Sequence, residues 1–414
     1  MHRIVKCFCT LVFFAVTIQA QVQPGFFGMG IATTADMPKV SYGVISHPAV
    51  SWTAIEGTAR GTYFWADIDN FVKKAPTNAN GAALVDIVFG WTPGWAVADQ
   101  SNCYANKAKI VGCTVPPDNI QDWIDFVTAV VNHYNGKTAP HVAYYELWNE
   151  MSNTKFWTGT VAQMLALSQA AYPILKQDPY SQVITPSVVW TNGVPMMTKY
   201  LQAGGGQYAD ILSFHGYPSQ TGPKSPIPVP LPESPLSTNA PIQTMVTTFR
   251  QIADTYGMLG KPLITTEGGW GTNGVSDPDM QTAWITHYEL IQAGMAASNN
   301  LVSQTWFTWG KAFSGTIETS SGNTTPAANA YNVVYGWLVG QQPQPCSNSG
   351  NIWSCAIGSN LVVWDTSQTC SGGVCTTSQY TPPAGYGQYV DVTGTAATVP
   401  GTIALGVKPI MLEP

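Results

Sequence analysis

The chain has 414 residues, 45% of them apolar and only 10% charged, with 17 Lys plus Arg against 23 Asp plus Glu and a formal net charge of −6. That is ample for a large core and long enough for one barrel-sized domain plus a smaller one. Beyond Arg3 the only arginines are Arg60 and Arg250, so there is no basic stripe to grip phosphate backbones, and nucleic acid is excluded as an expected partner.

The first 20 residues read as a secretory signal. His2, Arg3 and Lys6 make a basic start, Phe8 to Ile18 an apolar stretch too short to span a bilayer, and Ile18-Gln19-Ala20 a small-residue exit. Cys7 and Cys9 open that stretch rather than close it, which places them badly for a lipoprotein cleavage site. No later segment reaches 18 apolar residues, so the expectation is an exported chain with no membrane partner, acting as a monomer. Six cysteines remain, in three close couples within loop-like stretches. Six allow 15 pairings; the short-range set Cys103–Cys113, Cys346–Cys355 and Cys370–Cys375 is the one expected here. A zinc site is the rival, weakened by the lack of a C-x-x-C or paired His.

From about residue 26, β-rich apolar runs alternate with amphipathic stretches. The expected strands are Phe26–Ala32, Tyr42–Ile45, Ala83–Phe89, Val142–Trp148, Gln182–Pro186, Ile211–His215, Leu263–Glu267 and Val302–Trp309. Helices are expected at Pro117–Tyr134, Val161–Gln177, Pro241–Tyr256 and Pro278–Ala296, with Pro117-Asp118 and Pro278-Asp279 as openings. Eight strands with intervening helices fit an α/β fold, a (β/α)₈ TIM barrel over residues 21–340. An open doubly wound sheet would announce a Gly-rich first turn, and Gly28-Met29-Gly30 is too weak to supply one. Pro218 to Pro241 is proline-dense and would form a rim or lid on the catalytic face, or a stiff surface loop. After Trp337 the helical period vanishes. Short alternating runs at Asn360–Trp364, Gly387–Val392 and Thr402–Val407 make residues 341–414 a small all-β sandwich, expected to support the barrel rather than bind ligand.

Two strand ends carry the chemistry. Tyr144-Tyr145-Glu146-Leu147-Trp148-Asn149-Glu150 and Leu263-Ile264-Thr265-Thr266-Glu267-Gly268-Gly269-Trp270 are apolar runs finishing in glutamate, in a chain with only eight Glu. Barrel active sites lie at the C-terminal strand ends. Two carboxyl groups presented there suit glycosidic bond cleavage, in which one donates a proton and the other attacks or activates water. Fifteen Trp and 18 Tyr add flat faces on which neutral sugars stack, although most such rings fill cores. No H-E-x-x-H and no G-x-S-x-G is present, which disfavours metal- or serine-dependent hydrolysis.

On Trp148-Asn149-Glu150 and Thr266-Glu267-Gly268, ending the fourth and seventh strands, the chain resembles glycoside hydrolase clan A. These are retaining (β/α)₈ glycosidases, and the nearest branches are the β-xylosidase-like and endoglycanase-like ones that carry a C-terminal β-sandwich. The resemblance implies that Glu150 is the acid/base, that Glu267 is the nucleophile, and that Asn149 bonds the sugar 2-hydroxyl. It also implies that Tyr217, in Ser213-Phe214-His215-Gly216-Tyr217, donates to the nucleophile while His215 touches sugar or positions the nucleophile. By strand alternation Trp309 would floor the subsite beside the cleaved bond, and Trp91 and Trp95 would form an outer platform. One departure stands out. Clan A members commonly hold an arginine near the end of strand two, where this chain has Ser46-His47-Pro48, so either His47 steadies the nucleophile or Tyr217 and backbone do so alone. Glu146 is expected as a buried hydrogen-bonding group near the site.

The implied activity is hydrolysis of a polysaccharide or oligosaccharide without cofactor or metal, endo-acting on the density of aromatics near strand ends. An exo-acting β-glycosidase such as a β-xylosidase and a non-catalytic carbohydrate-binding barrel are the alternatives. Asn323-Thr324-Thr325 is a glycosylation acceptor in a eukaryotic host.

Overall fold

The computed structural model describes residues 21–33, 36–47, 51–75, 84–105, 111–134, 142–219, 229–271, 274–310 and 315–414. The signal-like segment 1–20 and residues 220–228 of the proline-dense insertion lie outside the described residues.

All eight expected strands are present: β1 Phe27–Ile31, β2 Val44–His47, β3 Leu84–Val88, β4 Tyr144–Glu146, β5 Gln182–Ile184, β6 Leu212–Gly216, β7 Leu263–Gly268 and β8 Leu301–Trp309. They pair in parallel in the spatial order β5-β4-β3-β2-β1-β8-β7-β6. A parallel bridge between Ile184 and Ile211 joins the two ends. The sheet is thus a closed TIM barrel.

Helices clothe the outside. Short α1 (Trp52–Glu56) and α2 (Ala66–Lys74) follow β2, and α3 (Ile120–His133), α4 (Val161–Leu175), α5 (Trp190–Gln202), α6 (Ile242–Thr255), α7 (Pro278–Asn299) and α8 (Pro326–Leu338) follow the later strands. Local chemistry sets where they begin. In α3 the cap is Asn119, two residues beyond the expected Pro-Asp opening, and Trp123, Phe126, Val127 and Val130 make its buried stripe. Helix α4 opens on a Thr160/Gln163 capping box. Helix α7 opens where expected, with Pro278 in the first turn and Asp277 accepting from the Asp279 and Met280 backbone N–H groups. Helix α5 carries Gly193 and Pro195 in its first two turns, residues that break a helical pattern on paper.

Inside the barrel, side chains stack in layers. Ile184, Ile211 and Ile264 pack together against Tyr144 at the base. Above them the lining turns polar: Ser46, Asp86, Glu146, Ser213, Thr266 and Thr305 are all buried. Space there is tight. A Cβ on Gly28 would lie 2.2 Å from Thr305 Oγ1 and 2.9 Å from the Gln304 carbonyl oxygen, so only glycine fits.

The C-terminal part is a sandwich, and one of its sheets is buried on both faces. β9 (Ser347–Ser349), β10 (Ile352–Ile357), β11 (Asn360–Asp365), β12 (Gln388–Asp391), β13 (Ala396–Thr398) and β14 (Ile410–Glu413) form one sheet in the order β9-β10-β11-β14-β12-β13. Alternation divides its residues. Cys355, Ile357, Val362, Trp364 and Met411 join the core of the barrel. Val363, Ile410 and Leu412 meet Ile403 and Leu405 of the small outer pair Ser378–Tyr380/Ile403–Leu405. The three disulfides are Cys103–Cys113, Cys346–Cys355 and Cys370–Cys375, the pairing expected from spacing.

Gly28→Ala should therefore destabilise the protein by about 1–3 kcal/mol through overpacking. The measurement is the urea-unfolding midpoint. An unchanged midpoint would show that the barrel interior has slack at this level.

Candidate active site

Glu150 stands four residues beyond the end of β4, on a turn that backbone bonds define closely. Asn149 N–H donates to the Phe89 carbonyl at 2.9 Å, and Ser187 N–H to the Trp148 carbonyl at 2.9 Å. Glu150 N–H donates to Ser187 Oγ at 2.9 Å. Glu150 itself has φ +42°. A left-handed conformation at a non-glycine residue costs of order 1–3 kcal/mol and persists where its surroundings over-determine it. Here the turn aims the carboxyl into the barrel mouth.

Glu267 reaches the same mouth by a different device. Along β7, Leu263 and Thr265 face the helices while Ile264 and Thr266 face inward, so strict alternation would send Glu267 outward. The register with β6 slips between Thr265 and Glu267, which places Glu267 opposite His215. A bulge of this kind re-aims a side chain at a strand end.

The two carboxyl groups and His215 converge. One oxygen of Glu150, one of Glu267 and a ring nitrogen of His215 all lie within 4.8 Å of one another. His215 Nδ1 is 2.9 Å from Glu150 Oε1 and 3.4 Å from Glu267 Oε2. Tyr217 donates its hydroxyl to Glu267 Oε2 at 3.1 Å. Asn153, which the sequence did not single out, donates from Nδ2 to Glu150 Oε2 at 2.6 Å. All three central groups are largely out of water, with Glu150 8% and His215 1% exposed.

Burial and charge divide the protons unevenly. Burial raises Glu267 to about 7, helped by the Glu150 and Glu146 charges and opposed by His215 and Tyr217. Burial also acts to raise Glu150, but the hydrogen bond and charge of His215, together with Asn153, outweigh it and hold Glu150 below the ordinary range. Burial alone would lower His215, yet the surrounding carboxylates, Glu267 foremost, lift it to about 9. In the free protein at neutral pH the imidazole is therefore charged, Glu150 ionised and Glu267 close to its midpoint. Deeper in, burial and neighbouring carboxylate charge push Asp86 well above the carboxylate range, and burial raises Glu146.

Several expected ligand-facing residues lie elsewhere. His47 is on the helix-facing side of β2, edge-on to Phe71 of α2 at 5.5 Å, with burial lowering it to about 4. Ser46, one residue earlier, faces inward and pairs in register with Asp86. Neither described arginine serves the pair: Arg60 binds Asp122 and Asp125, and Arg250 binds Asp254. On β8 the expected alternation fails. Met29 pairs with Trp306 but Ile31 pairs with Trp309, so three residues of β8 span two of β1. The slip turns Trp309 towards the helices, where it is 0% exposed. Phe307 takes the mouth: it is half-buried, and a Cβ on the inward-facing Gly30 would lie 2.9 Å from its Cδ2. Trp91 is 39% exposed, stacked on Phe156 at 5.7 Å. Trp95 is held edge-on to Trp52, its Nε1 donating to the Glu56 carbonyl at 2.6 Å. Asn149 is half-buried beside Glu150.

Comparison with known proteins agrees with this fold. Among solved structures the chain is similar to a family 39 glycoside hydrolase from the gut symbiont Bacteroides cellulosilyticus WH2, at 18% identity and TM-score 0.70, covering 94% of this chain and 81% of that one. It is also similar to a monomeric β-xylosidase from Caulobacter crescentus CB15, at 15% identity and TM-score 0.64, covering 95% and 97%. A third is a glycoside hydrolase family 30 subfamily 8 xylanase from Clostridium acetobutylicum, at 14% identity and TM-score 0.57, covering 96% and 97%. At such identities the likeness is one of fold. No curated protein matches the chain. The profile described as Cellulase (glycosyl hydrolase family 5) matches residues 49–313, which run from the loop after β2 to the end of β8. The chain belongs to that family, within clan A, and is a glycosidase.

Proposed function

We propose that the protein is a secreted, retaining hydrolase of β-glycosidic bonds in a polysaccharide, with Glu267 as nucleophile and Glu150 as acid/base. One observation carries the reading: carboxyl oxygens of the two residues lie within 4.8 Å of each other. Retaining pairs are about 5–5.5 Å apart, whereas inverting pairs stand about 6.5–9.5 Å apart to admit a water. In the first step Glu267 attacks the anomeric carbon, the bond to the leaving oxygen breaks, and Glu150 protonates that oxygen. In the second, Glu150 takes a proton from water, whose oxygen displaces Glu267.

The first step needs a protonated Glu150 and an ionised Glu267, while the free protein favours charge on Glu150 and His215. Once Glu267 is ionised, one proton transfer converts the two states. Moving the His215 Nδ1 proton across 2.9 Å to Glu150 Oε1 leaves a neutral imidazole and a carboxylic acid aimed at the leaving oxygen. Asn149 bonds the sugar 2-hydroxyl, Phe307 rather than Trp309 floors the subsite at the cleaved bond, and Trp91 on Phe156 is a further stacking surface. Residues 21–340 are the catalytic unit, residues 341–414 its support, and the protein acts as a monomer. Export is supported by the three disulfides, which form and persist in oxidising compartments.

Endo action is favoured by the exposed Trp91 ring, a stacking face beyond the one assigned to Phe307. The exo reading is favoured by likeness to a structure described as a β-xylosidase. Products from β-glucan, xylan and mannan decide between them: a ladder of oligosaccharides supports endo action, and monosaccharide alone overturns it.

Glu267→Ala should abolish hydrolysis. Glu150→Ala should lose about 10²–10⁴-fold on substrates with poor leaving groups and much less on activated aryl glycosides; near wild-type turnover by either variant refutes the assignment. The ratio kcat/KM should be bell-shaped. It should rise as Glu267 ionises at about 7 and fall as the proton shared by His215 and Glu150 is lost at about 9, both limbs belonging to the coupled cluster. An acid limb below about 5, the ordinary carboxylate range, would sink this charge arrangement. Phe307→Ala should raise KM by about five- to tenfold, as the loss of a stacking face of about 1–1.4 kcal/mol predicts. Trp309→Phe should lower the melting temperature and leave KM unchanged.

A further inference from the structure

Beyond β6 the described residues 217–219 and 229–241 form the two limbs of a strap that leaves the active site. Its near end carries Tyr217. The returning limb pins the outgoing one there: Asn239 Nδ2 donates to the Tyr217 carbonyl at 2.7 Å, Asn239 N–H to the Pro218 carbonyl at 2.9 Å, and Thr238 N–H to Ser219 Oγ at 3.2 Å.

The far end is buried between α7 and the C-terminal sheet. Trp284 Nε1 donates to the Pro230 carbonyl at 2.9 Å. Leu231 packs on Ala283 and Val407. Glu233, 4% exposed, receives two groups on one oxygen: His287 Nδ1 at 2.8 Å from Oε1, and Trp364 Nε1, which donates to Oε1 at 3.0 Å. His287 Nε2 donates to the Val407 carbonyl at 2.8 Å. A carbonyl only accepts, so Nε2 carries a proton and the imidazole bridges the strap and the connection that leads into β14. A carboxyl group buried this deeply is costly to strip of partners, which makes the contact discrete rather than sliding.

We propose that Glu233 is a positioning residue for the reaction: through it the C-terminal sheet fixes the strap that holds the Tyr217 hydroxyl on Glu267. The inference rests on the reading of Glu267 as nucleophile. It makes Trp364, on a different sheet from the catalytic residues, a determinant of the proton affinity of Glu267. The groups facing Glu267 are His215 and Tyr217 from β6 and its end, Glu150 and Glu146 from β4 and its end, and Asp86 from β3. Of these, the strap grips Tyr217 directly.

The test is the acid limb of kcat/KM in Tyr217→Phe, Glu233→Gln and Trp364→Phe, each alone and the latter two also combined with Tyr217→Phe. The Tyr217 hydrogen bond lowers the proton affinity of Glu267, so its loss moves the limb to higher pH. Glu233→Gln and Trp364→Phe should move it the same way by roughly half a pH unit, about threefold in kcat/KM below the limb. Neither should add a shift in the Tyr217→Phe background. Trp364→Phe deletes one donor and keeps an aromatic ring, so it carries the test even where Glu233→Gln fails to fold. A lowered melting temperature with an unmoved limb, or a shift that adds fully to that of Tyr217→Phe, overturns the proposal. If Tyr217→Phe alone leaves the limb in place, the assigned Tyr217–Glu267 pair fails first and the proposal falls with it.

Discussion

Four carboxyl groups and one imidazole share the upper half of a barrel with almost no access to water. Two unit charges no more than 4.8 Å apart repel by at least about 3 kcal/mol even at an effective dielectric constant of about 20, and Asp86 and Glu146 lie just beneath. The cluster cannot ionise fully around a single cation. Asp86 and Glu146 yield first: burial and the Glu146 charge push Asp86 well above the carboxylate range, and burial raises Glu146. The remaining charge is settled among Glu150, His215 and Glu267. A guanidinium beside Glu267 would hold it ionised at any working pH. Here the cation that faces Glu267 among the described residues is a titratable imidazole, so the charge state of Glu267 is tied to pH through His215.

The scaffold delivers these groups by breaking its own regularity. Glu267 faces inward because β7 slips register against β6, Phe307 because β8 slips against β1, and Glu150 because its backbone is left-handed. Regular strands build the layered base, where Ile184, Ile211 and Ile264 need only alternate. The irregular positions gather at the mouth, where alternation would have aimed the reactive side chains at the helices. Such geometry is affordable because the helices and the loop bonds around Ser187 fix it from outside.

The same division explains what could be read from the residues alone. Strand existence follows from apolar runs, and all eight were legible, as were the disulfide couples and the meeting of Glu150, Glu267, His215 and Tyr217 at one barrel mouth. Side-chain direction at strand ends was not. Reading β2 as ending at Ile45 left His47 as loop, free to serve the site, whereas the strand runs on to His47 and its parity sends that ring to α2. Trp309 fails for a related cause, since unbroken alternation was assumed across a bulge. The argument from aromatic density also weakens, because Trp52, Trp123, Trp148, Trp270, Trp284, Trp306 and Trp364 are buried with Trp309. Family membership removes the non-catalytic barrel that the missing arginine had suggested. Glu233 carried no signal at all: it sits in an aperiodic proline-rich stretch, with partners 54 and 131 residues away.

The C-terminal sheet poses the question of whether it is an appendage or part of the enzyme. An appendage would show one wet face towards the barrel and a polar, exchangeable contact of the kind found between mobile domains. Instead Val362, Trp364, Met411, Cys355 and Ile357 are continuous with the barrel core, and the opposite face is already occupied by Ile403 and Leu405. Removing the sheet would uncover that apolar side, together with the Glu233 carboxyl and the His287 ring that now satisfy each other and the sheet. Exposed apolar surface of this extent, with a stripped buried polar contact beside it, is what a folded domain avoids. The barrel therefore depends on the sheet for its own closure around α7, and the strap running between them brings that dependence to the edge of the catalytic pair.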